Sequence, residues 1–261
     1  MNRQLTRLAG TFAGLVLAVS VAMPALAAGT DAAHSGARSA PSSDLGRSRC
    51  LDVRLAVRTD QTVAHLKAFG LCEVDRRLAT IDRLQGAIGN ADVLTDDHAA
   101  ALRKILADSE SGLKALRAEI ADDTTVPELT EDIRRIFSEY RIYALVTRQV
   151  VLVRADDRVD AAAARLTHAS EQLTAAIERA AGNGKDVTEA QGHLDAMLAA
   201  ISAAKSEVAG DAAAVLAQTP TTWNTGAAKP ILDAARASIS AAHTDLRTAL
   251  TEARAVMAAL R

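Results

Sequence analysis

The chain has 261 residues, of which 49% are hydrophobic but only 2% are aromatic, and its formal net charge is −2. Its 30 basic residues nearly balance its 32 acidic ones, and no region has the one-sided basic density of a nucleic-acid-binding face, so no nucleic-acid partner is predicted. Much of the apolar content is Ala, the best helix former, and the few aromatic residues and five prolines argue against a β-sandwich. We therefore predict an all-α fold.

Residues 1–27 have the layout of a signal peptide. Arg3 and Arg7 form a basic start, residues 8–23 are apolar, and residues 25–27 (ALA) form a small-x-small cleavage site. The alternative, a membrane-spanning helix, is disfavoured because the apolar stretch is shorter than a typical span. We expect an exported protein, secreted or associated with the cell wall, that has no transmembrane anchor after signal removal.

The two cysteines, Cys50 and Cys72, both lie in the exported part of the chain. Two thiols in an oxidising compartment most simply form one disulfide. A redox-active pair would need a close C-x-x-C motif, which the sequence lacks. The prediction is a structural disulfide within one chain.

The first half of the exported chain is predicted to contain a leader and two helices. Residues 28–59 are predicted to be a flexible leader, since the stretch up to residue 49 is rich in Ala, Ser and Gly and has no periodic apolar residues. Apolar residues then recur every three or four positions in residues 60–90 and 95–122, the pattern of a coiled-coil seam. Thr95 and Thr125 are predicted N-caps.

The third helix is predicted to run without a break from about residue 127 to residue 181. No Gly or Pro interrupts residues 128–181, and Gly182 and Gly184 follow. Apolar residues cover most of the helical wheel between residues 142 and 153, and such a helix must be buried from several sides. We therefore expect Tyr143, Val146 and Val150 to be buried. The β-branched run at 150–153 also suggests a strand, but that strand would have no partner among helices.

The rest of the chain predicts two more helices. The fourth begins at Thr188 and extends to about residue 216, and the fifth runs from Pro230 to the end. Residues 218–229 between them are predicted to be a loop. Because short turns make neighbouring helices antiparallel, we predict two tandem three-helix bundles, residues 60–154 and 155–261, that share the long central helix.

Three segments also carry a resemblance: residues 140–159 (YRIYALVTRQVVLVRADDRV), 184–191 (GKDVTEAQ) and 235–250 (ARASISAAHTDLRTAL). In these segments, and over most of the exported chain, the sequence resembles a group of exported, Ala- and Arg-rich helical proteins of high-GC Gram-positive bacteria. That group has no assigned activity. The resemblance implies export and a helical fold, and it implies nothing about chemistry.

Motifs for catalysis or for metal and cofactor binding are missing from the sequence. The six His residues have no metal-ligand spacing, and there is no H-E-x-x-H, no G-x-S-x-G and no Gly-rich phosphate loop. Asp156 and Asp157 lie between Arg154 and Arg158, which predicts a solvated ion-pair cluster rather than catalytic carboxylates. We predict no enzyme activity, no metal and no cofactor.

Arg134, Arg141 and Arg148 recur every seven residues and would line one side of an unbroken central helix, with Tyr140 and Tyr143 on another part of the wheel. One hypothesis is a strip that contacts an anion or a partner, since guanidinium groups suit carboxylate and phosphate. The other, which we favour, is that the Arg stems cover the apolar seam while their charged ends reach water.

Trp223 is open to two interpretations as well, as a partner anchor or as a cap on the end of the second bundle, which we favour. The leading functional hypothesis is a structural or interaction protein with an unidentified protein or cell-wall partner. The alternative is a module that holds a small apolar or anionic molecule near Tyr140, Tyr143 and Arg141. A pocket of several hundred Å³ there would favour the alternative, and a solid core would favour the leading hypothesis.

Overall fold

A computed structural model describes residues 43–91 and 93–261, so the predicted signal peptide and residues 28–42 of the predicted leader lie outside the described part. The described residues form helices and turns without a strand, which confirms the all-α prediction. The helices are α1 Ser43–Thr59, α2 Val63–Gly89, α3 Asp96–Asp122, α4 Val126–Ser138, α5 Thr147–Gly182, α6 Thr188–Val208, α7 Asp211–Leu216, α8 Pro220–Asn224 and α9 Ala228–Ala259.

The end of the predicted leader is not a flexible segment, because residues 43–59 form α1 and pack along α2. The predicted disulfide is confirmed: Cys50 of α1 is bonded to Cys72 of α2, with 5.7 Å between their Cα atoms. Val57 adds an apolar contact to the core. This helix lacks a regular apolar stripe, and the prediction was wrong here because tertiary contacts and the disulfide hold it in place.

Helices α2, α3 and α4 pack on one another. Helices α3 and α4 begin within one residue of their predicted starts, and α2 begins at Val63, three residues after its predicted start. Thr62 and Thr95 cap α2 and α3 by accepting from the backbone N–H three residues on, and Thr125 forms a capping box with Glu128 at the start of α4. The apolar seams of α2 and α3 meet in a fully buried core that includes Ile81 and Leu102.

In the second half, α5, α6 and α9 pack on one another. The fourth helix ends at Val208 rather than near residue 216, because Gly210 takes a left-handed conformation (φ 85°) and starts the separate helix α7. The predicted loop at 218–229 contains the short helix α8, which includes Trp223. One continuous hydrophobic cluster joins the two halves, and the boundary at residue 154 stays a prediction.

The predicted unbroken central helix is wrong. Helix α4 ends at Ser138, residues 139–141 leave the helix, and a π-helical turn, Ile142–Val146, leads into α5. In that turn the Val146 N–H donates to the Arg141 carbonyl, five residues back, at 3.2 Å. The sequence has no Gly or Pro here, so distant contacts must hold the break.

Two such contacts are present. The Tyr140 ring packs so closely on α3 that a Cβ on Gly112 would lie 2.4 Å from its Oη. The Asn224 Nδ2 of α8 donates to the Ser138 carbonyl at 2.8 Å, which satisfies one of the carbonyls left free at the end of α4. The break therefore depends on α3 and α8, which are distant in sequence.

The break also changes which residues of the segment are buried. Val146 and Val150 are buried, as predicted, but Tyr143 is 41% exposed and Val151 is 54% exposed. The apolar stretch is therefore covered on several sides but not on all of them. The uncovered part begins at the π-helical turn.

Candidate functional site

A cleft of about 260 Å³ opens at the break between α4 and α5, against α1 and α2. Its lining residues are Arg54, Glu73, Arg76, Arg77, Phe137, Tyr140, Arg141, Ile142, Tyr143 and Ala144. Five of these, residues 140–144, are consecutive in the chain. Five consecutive residues of a regular α-helix are spread around its whole circumference. In an unbroken helix, residues 140–144 could therefore not all line one cleft. The irregular backbone is therefore what builds this wall.

Glu73 lies at the centre of the cleft's polar network, with a side chain only 1% exposed. Arg77 donates through Nη1 to its Oε2 at 2.7 Å. Arg54 and Arg76 donate to its Oε1 at 2.9 and 3.1 Å. One buried carboxylate is thus held by three guanidinium groups from α1 and α2.

Arg77 is the most buried of these cations, with a side chain 5% exposed. Its Nη1 also donates to the Glu73 carbonyl at 2.9 Å, but its Nε is buried without a hydrogen-bond partner. The guanidinium carbon lies 4.6 Å from the centre of the Phe137 ring and 5.2 Å from that of Tyr143. Cation–π contacts at such distances are favourable, and more so in a desolvated site. They orient the group without satisfying its free N–H.

The cleft is strongly cationic. Four guanidinium groups and one carboxylate line it, and Glu73 can balance only one of the four charges. The Nε of Arg141 donates a hydrogen bond to the Oδ1 of Asn224 at 2.8 Å. Because Asn224 is neutral, this bond does not compensate the charge of Arg141. Guanidinium groups match the geometry of carboxylate and phosphate. Three of the four cationic charges in the lining are therefore not balanced by a carboxylate of the lining.

Aromatic residues are concentrated here. The sequence has only one Trp, two Tyr and three Phe, yet four of these six lie in the cleft wall or against it. Phe69 stacks on Phe137 with ring centres 6.5 Å apart, and Arg54 lies 5.9 Å from the Phe69 ring. Burial of Tyr140 against α3 raises its pKa, with a further contribution from Glu139. The walls therefore combine charge with apolar surface.

The predicted residues do not form one strip, because the break removes the seven-residue register. Arg141 lines the cleft with Tyr140 and Tyr143. Arg134 instead pairs with Glu131 at the surface. It also borders a separate open groove of about 440 Å³ between α4 and α8.

Arg148 and Trp223 lie on the other side of the break. The Nη1 of Arg148 is 3.6 Å from the Oδ1 of Asp233 on α9. The guanidinium carbon of Arg148 is 5.7 Å from the centre of the Trp223 ring. Trp223 is half-buried and packs against the hydrophobic core. Its packing and its place on α8 support a structural role beside the break.

Sequence reasoning missed Arg54, Glu73, Arg76, Arg77 and Phe137. A signal was available for two of them. Glu73 and Arg77 occupy the buried stripe of α2, one helical turn from Gly70 and Ile81 respectively. Charged residues in an apolar seam are rarely buried unless they are paired, so the stripe pointed to a polar network.

Asp156 and Asp157 of α5 are buried, so the prediction that they form a solvated ion-pair cluster was wrong. Asp157 accepts from the Thr95 backbone N–H at 2.8 Å and lies 2.8 Å from the His98 Nδ1. Asp156 is buried, and one of its oxygens has no hydrogen-bond partner. Burial, together with Asp160 and the other nearby carboxylates, raises the pKa of Asp156 to about 7.

Neither a metal cluster nor a membrane-spanning helix was found in residues 43–91 and 93–261. No group of three or more His, Cys, Asp or Glu side chains in these ranges could hold a metal ion. None of their helices has the length and apolar character needed to cross a membrane.

Comparisons of the chain with protein-family models, with curated proteins and with solved structures give no match.

Proposed function

We propose that the protein is a non-enzymatic, exported helical binding protein that holds a small anionic molecule in the arginine cleft. The observation that carries this proposal is the unbalanced charge of the lining, which has four guanidinium groups and the single carboxylate of Glu73. In addition, the buried Nε of Arg77 has no hydrogen-bond partner. An unsatisfied buried donor costs free energy in the empty protein. An anion in the cleft would offset the unbalanced positive charge around it.

The cleft supports the ligand-binding hypothesis over the structural one. A pocket near Tyr140, Tyr143 and Arg141 was the criterion that separated the two, and those three residues line the cleft. Its volume of about 260 Å³ is smaller than the predicted several hundred Å³ and just below the roughly 300 Å³ at which drug-sized sites begin, so it suits only a small ligand or head group. We therefore place a small ligand ahead of a protein partner.

The composition of the lining supports binding rather than catalysis. Its one carboxylate, Glu73, is held by three guanidinium groups and is not placed to transfer protons. The other side chains are Arg, Phe, Tyr, Ile and Ala, which offer no nucleophile with an adjacent base. The cleft can recognise charge and offer apolar contacts, and that is the role proposed for it.

Export is part of the proposal. The signal-like residues 1–27, the disulfide between Cys50 and Cys72, and the resemblance to exported helical proteins all support a secreted or cell-wall-associated protein. Detection of the protein in culture and cell-wall fractions, with residues 1–27 removed, tests this part.

An NMR titration with acetate, benzoate and inorganic phosphate tests the binding site. At constant ionic strength we expect saturable shifts at Phe137, Tyr143 and the residues beside them. Arg141→Gln and Arg76→Gln should each weaken the binding about tenfold, because each removes a charge-assisted hydrogen bond. Arg254→Gln, an exposed site on α9, is the matched control and should change nothing. Equal binding by all three variants, or no saturable shift, would overturn the proposal and favour a purely structural protein.

A further inference from the structure

Exposed apolar side chains are not spread evenly over the described surface. The large exposed ones are Leu51, Leu55, Phe137, Tyr143, Val151, Leu198 and Met257. Four of these seven belong to α1, to the end of α4 and to the π-helical turn, the elements that form the cleft. Contiguous exposed apolar surface that borders polar groups often marks a binding site.

On α1, the exposed Leu51 and Leu55 lie close in sequence to Arg54, which lines the cleft. Leu51 precedes Arg54 by three residues and therefore lies beside it on the helix surface, and Leu55 follows Leu51 by one turn. Arg54 reaches into the cleft to Glu73, while both leucines are exposed to water. This edge of the cleft therefore presents charge next to an apolar ridge.

At the end of α4 and in the π-helical turn, the same pairing of charge and apolar surface recurs with aromatic residues. Phe137 and Tyr143 contact the Arg77 guanidinium, and each still exposes more than a third of its surface. Arg76 also lies over the Tyr143 ring, with its guanidinium carbon 5.4 Å from the ring centre. The α1 helix and the segment from Phe137 to Tyr143 thus both carry exposed apolar surface next to the arginines of the cleft.

From this arrangement we infer that the ligand is an amphiphilic anion, with one carboxylate or phosphate head group on an apolar tail of several carbons. The inference rests on the proposed function and specifies its ligand. The guanidinium groups of Arg77, Arg76 and Arg141 would hold the head group, since three charges in the lining are not balanced by Glu73. The tail would lie across the exposed Leu51 and Leu55 and remove apolar surface from water.

A calorimetric series of straight-chain carboxylates, from acetate to octanoate below its micelle concentration, tests this inference. We expect the affinity to rise roughly fourfold with each methylene that becomes buried. Octanol, which lacks the charge, should bind at least about tenfold more weakly than octanoate. Octyl phosphate in the same series distinguishes a carboxylate head group from a phosphate one.

Variants of the exposed leucines and of Arg141 distinguish the contribution of the apolar tail to binding from that of the head group. Leu51→Asn with Leu55→Asn changes only exposed positions, so it should flatten the chain-length dependence while acetate still binds. Leu198→Asn on α6 is the matched control and should keep the wild-type slope. Arg141→Gln should lower the affinity for every carboxylate in the series by a similar factor.

The two proposals fail in different ways. Binding of acetate and octanoate with equal affinity would overturn the amphiphile and leave the anion site standing. Octanol binding as tightly as octanoate, with no effect of Arg141→Gln, would overturn both. Binding to anionic lipid vesicles without binding to soluble octanoate or octyl phosphate would overturn the small ligand in favour of a membrane surface.

Discussion

Arg77 and Glu73, one turn apart on α2, form the most buried ion pair in the described part of the chain, with side chains 5% and 1% exposed. A buried pair of this kind contributes little net stability, because the loss of water around both charges offsets their attraction. Removing one partner is costly, since the other charge stays buried without compensation. The intact pair therefore adds little to the stability of the fold, whereas a single unpaired member would reduce it.

Glu73→Gln should accordingly lower the free energy of unfolding by about 3 kcal/mol, because Arg77 keeps its charge without its buried partner. The double variant Glu73→Leu with Arg77→Met removes both charges and should be clearly more stable than Glu73→Gln. Urea unfolding of the three proteins measures the difference. If Glu73→Gln matched the wild type, the network would not be buried in solution.

Gly112 is the position on α3 where the Tyr140 ring makes its closest approach, and a Cβ there would lie 2.4 Å from Oη and 2.6 Å from Cε1. We expect Gly112→Ala to cost about 1–3 kcal/mol, because the rigid ring must move and the break loses its support. Thermal unfolding followed by circular dichroism is the measurement.

Gly192→Ala is the matched control, since nothing lies within 4 Å of its Cβ position on α6. It should stabilise the protein by about 0.5–1 kcal/mol through the unfolded chain. A stabilising effect of both substitutions would mean that Tyr140 does not pack on α3.

Val150 and Val151 are neighbours on α5 with opposite environments, 1% and 54% exposed. Val150→Asp would bury an unpaired charge and should cost several kcal/mol, comparable with the stability of a small domain. Val151→Asp should change the free energy of unfolding by about 0.5 kcal/mol or less. The two midpoints in denaturant give the comparison directly, and equal midpoints would contradict the orientation of α5.

Asp156 should make stability depend on pH. Its pKa is raised to about 7 in the folded protein, first by burial and then by Asp160, Asp157 and Asp211, against about 4 in an unfolded chain. The folded state therefore binds more protons than the unfolded state between these values. Its contribution to stability is fully present below about pH 4 and is lost as the pH rises to about 7, at up to about 1.4 kcal/mol per pH unit.

Asp156→Asn, which mimics the neutral acid, should remove most of this slope and make the protein more stable than the wild type at pH 8. Asp108→Asn, at an exposed position on α3, is the control and should keep the wild-type slope. Melting temperatures at pH 5, 6, 7 and 8 are the measurement. Parallel curves for wild type and Asp156→Asn would show that Asp156 titrates normally.

The sequence by itself determined the all-α class, the starts of α3 and α4, and the pairing of the two cysteines. These features depend on local properties: Thr caps act on backbone groups three residues away, and the apolar seams of α2 and α3 repeat every three or four positions. A disulfide between the only two cysteines needs no knowledge of the fold. Tyr140, Arg141 and Tyr143 were also predicted to lie near a candidate ligand, although as part of a continuous helix.

Only the tertiary structure decided where the central helix breaks and which residues meet there. Residues 128–181 contain no helix-breaking residue, so local propensity predicts continuity. The break is held by Gly112 of α3 and Asn224 of α8, and the cleft needs Arg54 of α1 and Arg77 of α2 beside it. Contacts between residues that distant in sequence leave no periodic signal, and together they outweigh the modest preference of each residue for a regular helix.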